Sequence, residues 1–274
     1  MTHLNRREAL ALMGGTVAAA GLSAPAYAQN KTIKVGALRF TSHSASFIAQ
    51  ERKYFADAGL NVEFEFFQAA TPMAVAIASG DVDYAVTAVS GGLINLAEKG
   101  AIKVIGGALS EESGIDGQKY LASDAAFQAG VTSCAALDGK RYAVTQSGSS
   151  FHYMGSKMAQ AEGIDLSFVP LQKVGAIIGA MKSGQVDGWS IVPHLAKPLA
   201  GSGALHIIGN VADYLPDYQV TTVFTSAKNA ADQRGQTESF LNAFSKGADD
   251  YAAAMIDGTA DQAAMVDLIH KYVY

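Results

Sequence analysis

The run Gln146-Ser147-Gly148-Ser149-Ser150 sets hydroxyls and a glycine directly before a stretch with helical apolar spacing. The first N–H groups of a helix lack intrahelical partners and sit at the positive end of its dipole, so such residues suit a small anion. The same residue types serve as plain caps that bond only their own backbone, and both roles stand open. Ser90-Gly91-Gly92 repeats the arrangement, and neither run ends in the Gly-Lys-Ser/Thr of a phosphate loop. Phe40-Thr41-Ser42-His43-Ser44, Gln68, and Thr87 with Ala88 stand at the ends of apolar alternating segments. Trp189, the only tryptophan, follows Val186-Asp187-Gly188 and either walls a cleft or packs in the core. Catalytic patterns are missing: there is no G-x-S-x-G elbow, H-E-x-x-H helix or paired-carboxylate motif. The lone Cys134 falls in Val131–Ala136, which reads as a short buried helix.

The elements that would position these groups alternate. Ile33, Val35 and Ala37 mark a first strand, and apolar positions from Phe47 to Ala58 give a helix stopped by Gly59. Val62 to Phe66 is a second strand, and Thr71-Pro72 starts a helix with Thr71 as cap and Pro72 in the first helical position, ending at Gly80. Tyr84 to Ala88 and Ile102 to Ile105 are further strands, with a helix from Leu93 to Lys99 between them. Ser110 to Gln118 interrupts the rhythm and reads as a crossing between lobes. Beyond it follow strand Arg141 to Thr145, a helix ending near Gly163, strand Leu166 to Val169, helix Val174 to Lys182 and strand Val186 to Val192. Strands alternating with helices indicate βαβ units and a mostly parallel sheet.

Sliding the chain against itself by 104 positions places Thr41, Ser46, Phe47, Gly59, Gln68, Gly80 and Asp83 on Thr145, Ser150, Phe151, Gly163, Gln172, Gly184 and Asp187. Two copies of one plan make two lobes and a cleft. In open α/β sheets ligands bind at the carboxyl ends of strands, which selects the loops named above.

The composition agrees with a packed α/β protein. Of 274 residues, 49% are apolar and 16% charged, enough for large hydrophobic cores. A net charge of −5 without a basic run argues against nucleic acid as partner, and no Cys/His cluster could hold zinc. Residues 1–28 read as an export signal: Arg6-Arg7, an apolar stretch, then Ala26-Tyr27-Ala28 as cleavage site. The paired arginines resemble a twin-arginine signal, although Ala9 departs from it and the general secretory route stays open. No cysteine lies near the cleavage site, so no lipid anchor is expected.

These residues carry a family resemblance. Lys34-Val35-Gly36, the run Glu51 to Glu63, Ala78-Ser79-Gly80-Asp81-Val82-Asp83-Tyr84, Leu137-Asp138-Gly139-Lys140 and Ser183 to Trp189 resemble substrate-binding proteins of ABC importers. The branch is the one with nitrate-, sulfonate-, taurine- and pyrimidine-precursor-binding (NMT1/THI5-like) proteins. The resemblance implies a two-lobed periplasmic-binding-protein fold of type II, each lobe a mostly parallel α/β sheet flanked by helices. Lobe 1 would comprise 29–110 and 220–274, and lobe 2 would comprise 111–219. It further implies a monomeric periplasmic protein without cofactor or catalytic activity that captures a sulfonate, nitrate, aromatic acid or pyrimidine-like solute and docks transiently on a permease. The family's site loops match Thr41 to Ser44, Thr87 to Ser90 and Gln146 to Ser150. A ligand-sensing domain of the same fold and an exported small-molecule enzyme are the alternatives. The chain ends at Tyr274 in what reads as a helix, and whether a C-terminal piece is missing stays open.

Overall fold

The computed structural model describes residues 32–273, so the export signal read from 1–28 lies outside the described residues. The described chain opens with β1 (Thr32–Ala37), α1 (Ser44–Glu51), α2 (Tyr54–Asp57), β2 (Asn61–Phe66), α3 (Ala70–Ser79), β3 (Tyr84–Ala88), α4 (Gly91–Glu98) and β4 (Ile102–Gly107). It crosses through β5 (Ser110–Glu111) and continues with β6 (Lys119–Ser123), α5 (Asp124–Gln128), β7 (Arg141–Val144), α6 (Ser150–Glu162), β8 (Ser167–Pro170), α7 (Val174–Lys182), β9 (Gly188–Ile191), α8 (Pro193–Gly201) and β10 (Leu205–Asn210). It returns through β11 (Tyr218–Gln219), β12 (Thr221–Ser226), α9 (Ala227–Asp232), α10 (Arg234–Met255) and α11 (Gln262–His270).

Two sheets of five strands result among the described residues, ordered β2-β1-β3-β12-β4 and β10-β6-β9-β7-β8. In the first, β1 pairs in parallel with β2 and β3, and β12 is inserted antiparallel between β3 and β4. In the second, β7 pairs in parallel with β8 and β9, while β6 runs antiparallel to both β9 and β10. One reversed strand per sheet is the price of a chain that leaves and re-enters. The crossing segments pair with each other, β5 against β11, as a two-stranded ribbon.

Five elements depart from the sequence expectation, the first being Val131–Ala136, which is no buried helix: only Ala135–Leu137 makes a single 3-10 turn, and Thr132, Ser133 and Ala135 are exposed. The helix expected from Phe47 to Ala58 is two helices, because Lys53 adopts a left-handed conformation (φ 63°, ψ 17°) between them. The restart directs Tyr54 onto α10, where its hydroxyl donates to Asp250 Oδ2 at 2.7 Å. Thr71 is not the cap of α3: Ala69 is the extended residue before the helix (φ −158°, ψ 159°), and Pro72 sits third. Proline costs nothing there, since N–H groups of the first turn have no partner in any case. Finally β6 and β10, which have no sequence signal above, complete the second sheet.

The first sheet buries Ile33, Val35, Tyr84, Val86 and Val223 against α10. There Phe240 stacks between Phe55 and Tyr84 with ring centroids 5.1 and 4.3 Å away. Gly247 lets α10 cross α1 closely, since a Cβ there would meet the Ala45 carbonyl and the Ala49 nitrogen. The second sheet holds Trp189, Tyr120, Tyr142 and Leu121 without measurable exposure. Among the described residues no helix is long and apolar enough to cross a membrane.

Candidate functional site

The carboxyl ends of β1, β3 and β7 face a chamber of about 40 Å³. Of the expected site residues, Phe40, Ser42, His43, Gln68, Ala88, Ser149 and Ser150 line it, drawn from both sheets. The volume accommodates a small polar group, being a few times the space one water needs. A groove of about 350 Å³ adjoins it, shares Phe40, Gln68 and Val174, and adds Arg39, Phe67, Lys173 and Leu195. A second groove of about 360 Å³ on the crossing side contains Ser44, Glu111, Gln118 and Tyr251.

The chamber lining carries no Asp, Glu, Lys or Arg among the described residues. Its titratable group is His43, 1% exposed, whose Nδ1 accepts from Leu38 N at 3.5 Å. Burial pushes the His43 pKa down to about 3, against a smaller opposing influence of the Val86 backbone, because a cation in this setting would lose its hydration. On the rim, Thr41 Oγ1 and His194 Nδ1 lie 2.9 Å apart, joining the loop after β1 to α8. Burial lowers the His194 pKa to about 4. A second link closes the cleft from backbone to backbone: Gly91 N donates to Gly148 O at 2.8 Å.

The remaining expected residues sit around the chamber. Ser90 Oγ accepts from Leu93 N and Ser149 Oγ from His152 N, both at 3.3 Å, so each serine caps its own helix. Gly148 N donates to His152 Nδ1 at 2.9 Å with Gly148 in a left-handed conformation (φ 76°). Ser147 is exposed, and the half-buried Gln146 reaches Gln172 Oε1 at 3.5 Å through Nε2. Thr87 is buried inside β3 opposite Thr222, with its hydroxyl unpartnered. Trp189 is fully buried with its ring edge toward Phe151, centroids 6.0 Å apart, so Phe151 forms the wall and Trp189 backs it.

Sequence reasoning missed Leu109, Gln118, Thr145, Phe151 and Thr221 in the lining. Leu109, Gln118 and Thr221 flank the crossing strands, which the carboxyl-end rule does not consider. The offset match of Phe151 to Phe47 is the signal that could have found Phe151. Cys134 is buried, and its thiol is pushed up to about 11 by burial, which removes it as a nucleophile at neutral pH.

The solved structures place this arrangement. The alkanesulfonate-binding protein SsuA from Xanthomonas axonopodis pv. citri bound to MOPS superposes with a TM-score of 0.72 at 18% identity, over 88% of this chain and 78% of that one. The periplasmic aliphatic sulphonate-binding protein SsuA from Escherichia coli gives 0.69 at 16%, over 88% and 78%. The periplasmic nitrate-binding protein NrtA from Synechocystis PCC 6803 gives 0.67 at 15%, over 79% and 60%. No curated protein sequence matches the chain. The two-sheet architecture is therefore the two-lobed periplasmic-binding-protein fold. The family model described as NMT1/THI5 like matches residues 40–255. A match over that much of the sequence settles kinship where pairwise identity is low, and the chain belongs to the NMT1/THI5-like family.

Proposed function

We propose that this protein is the solute-capturing component of an ABC importer and closes on its ligand between two lobes, 29–110 with 220–274 and 111–219. The observation that carries the reading is the chamber lined from both sheets and shut by the Gly91–Gly148 and Thr41–His194 contacts. A ligand there touches both lobes at once, so binding energy favours the closed state over the open one. The antiparallel ribbon of β5 and β11 is the hinge. Phe40, Ser42, His43, Gln68, Ala88, Ser149 and Ser150 are the proposed ligand contacts, with Thr41, Ser90 and Gly148 holding the closed rim. The protein works in the periplasm, exported by the signal at 1–28, and presents its closed form to a membrane permease. Its role is binding without turnover, as a monomer.

Purified protein should melt at a higher temperature with its solute by linkage, roughly 3 kcal/mol at a hundredfold excess over Kd. A thermal-shift screen of taurine, MOPS, nitrate, aromatic acids and amides, and pyrimidines tests this. The Trp189 emission should move with the same midpoint, because Phe151 lies between the indole and the chamber. A screen without any shift or emission change would reject solute capture.

A further inference from the structure

Glu111 is fully buried at the crossing, and both of its carboxylate oxygens accept from Gln118 N, at 3.1 and 3.2 Å. Its Oε1 also accepts from Gln118 Nε2 at 3.1 Å. A carboxylate has no proton to give, so the Gln118 amide must face it through nitrogen, and the amide oxygen is turned away. Gln118 is 2% exposed and lines the chamber, and its Oε1 accepts no hydrogen bond among the described residues. Gly117 is held to glycine by the same contact, since a Cβ there would collide with Glu111 Oε2. Lys119 and Lys197 both pair with Asp116. On the other lobe, Ser149, Ser150 and Phe151 open α6, a helix of 13 residues, and line the same chamber. His152 N and Tyr153 N are taken by Ser149, which leaves the N–H groups of Ser150 and Phe151 as the leading donors.

Gln118 lines both the chamber and the crossing-side groove, and with its oxygen toward the chamber it would set an acceptor there opposite the start of α6. A carboxylate, sulfonate or nitrate would satisfy the donors yet set oxygen against the Gln118 Oε1 acceptor. A carboxamide satisfies both, and so does the N(H)–C=O edge of a ring. Given solute capture as the function, we infer that the chamber selects a solute whose head is uncharged and carries a donor beside an acceptor. Glu111 is the positioning residue of that selection and acts through Gln118. The apolar groove beyond Phe40, with Phe67 and Leu195, takes the rest of the molecule.

The test measures Kd by calorimetry for matched pairs, acetate with acetamide, benzoate with benzamide and nicotinate with nicotinamide, alongside taurine, MOPS and nitrate. The carboxamides should bind at least about tenfold tighter than their acids, the value of one well-made hydrogen bond against an unpaired acceptor. Glu111→Gln should narrow the ratio to within about threefold, because two amides can pair either way round. Gln118→Met should weaken the carboxamides alone by about tenfold. A merely structural role would lower all affinities together and leave the ratio unchanged, and that result would overturn the assignment. Should Glu111→Gln not fold, Gln118→Met decides. Tighter binding of the acids, sulfonates or nitrate overturns the head-group inference and leaves solute capture standing. Binding of nothing in either class overturns both.

Discussion

The two lobes share one frame and finish it differently. In each, three parallel strands stand in the same order, β2-β1-β3 and β8-β7-β9. In each, an aspartate ties the amino end of the central strand: Asp83 Oδ2 accepts from Lys34 N and Asp187 Oδ2 from Arg141 N, both at 2.9 Å. Gly59 and Gly163, then Gly80 and Gly184, take left-handed conformations at matching turns. The difference lies in the helix after the central strand. It is split at Lys53 in the first lobe, where α10 presses on it, and runs unbroken as α6 in the second. The returning chain therefore braces the first lobe with an aromatic stack, while the second keeps a straight helix whose start meets the chamber. The repeated frame makes the cleft, and the unrepeated parts decide which lobe is braced and which wall lines the chamber.

The bracing can be broken directly. Phe240→Ala removes the ring between Phe55 and Tyr84 and should cost about 3–5 kcal/mol in urea unfolding. Loss below about 1 kcal/mol would mean that α10 is not what holds the first lobe.

Acid should loosen both sides of the cleft, through His43 from one lobe and His194 from the other. Both pKa values are lowered in the folded protein, to about 3 and about 4, so between pH 6.5 and 4 the unfolded chain binds more protons. Stability is then full above pH 6.5 and falls as the pH drops toward about 3, by several kcal/mol at most at pH 4. His194→Gln should flatten the slope in thermal melts. An unchanged slope would place the titration elsewhere.

The smallest effect falls on Asp187 in the second lobe. Asp187 also holds the Arg141 side chain, through Nε at 2.9 Å and Nη2 at 2.8 Å, and that guanidinium keeps its carboxyl below the usual range. Asp187→Asn should therefore cost about 1 kcal/mol, discounted because Arg141 is half exposed. That part of the stability is present above the ordinary aspartate pKa and is lost as acid protonates the folded carboxyl. An unfolding free energy unchanged in Asp187→Asn would show that the Arg141 side-chain pair adds nothing beyond the main-chain tie.

Most of the frame was legible because it is written in local signals. Val174 to Lys182 is the helix read from its spacing, and Gly80 and Gly163 stop helices as expected. β6 was not legible: Lys119 to Ser123 is buried throughout, so it lacks the alternation that marks a half-exposed strand. β10 is broken by an irregularity between Ile207 and Gly209. At the site, strand-end logic found Ser42, His43, Gln68 and Ser150, whose loops belong to a single lobe. It could not find Gln118 or Thr221, which reach the chamber only because the crossing strands pair across 107 residues of sequence, as Tyr218 does with Glu111. Trp189 shows a further limit, because strand position alone does not say which face of the sheet a side chain takes.

The contact between Gly91 and Gly148 is made by main chain on both sides, and neither residue brings a side chain to it. The act of shutting is thereby uncoupled from the identity of what is shut in. Residues along the walls can be exchanged for a new solute while the clasp stays the same, provided both positions remain small. A protein organised this way can change its cargo over evolutionary time without having to relearn how to close.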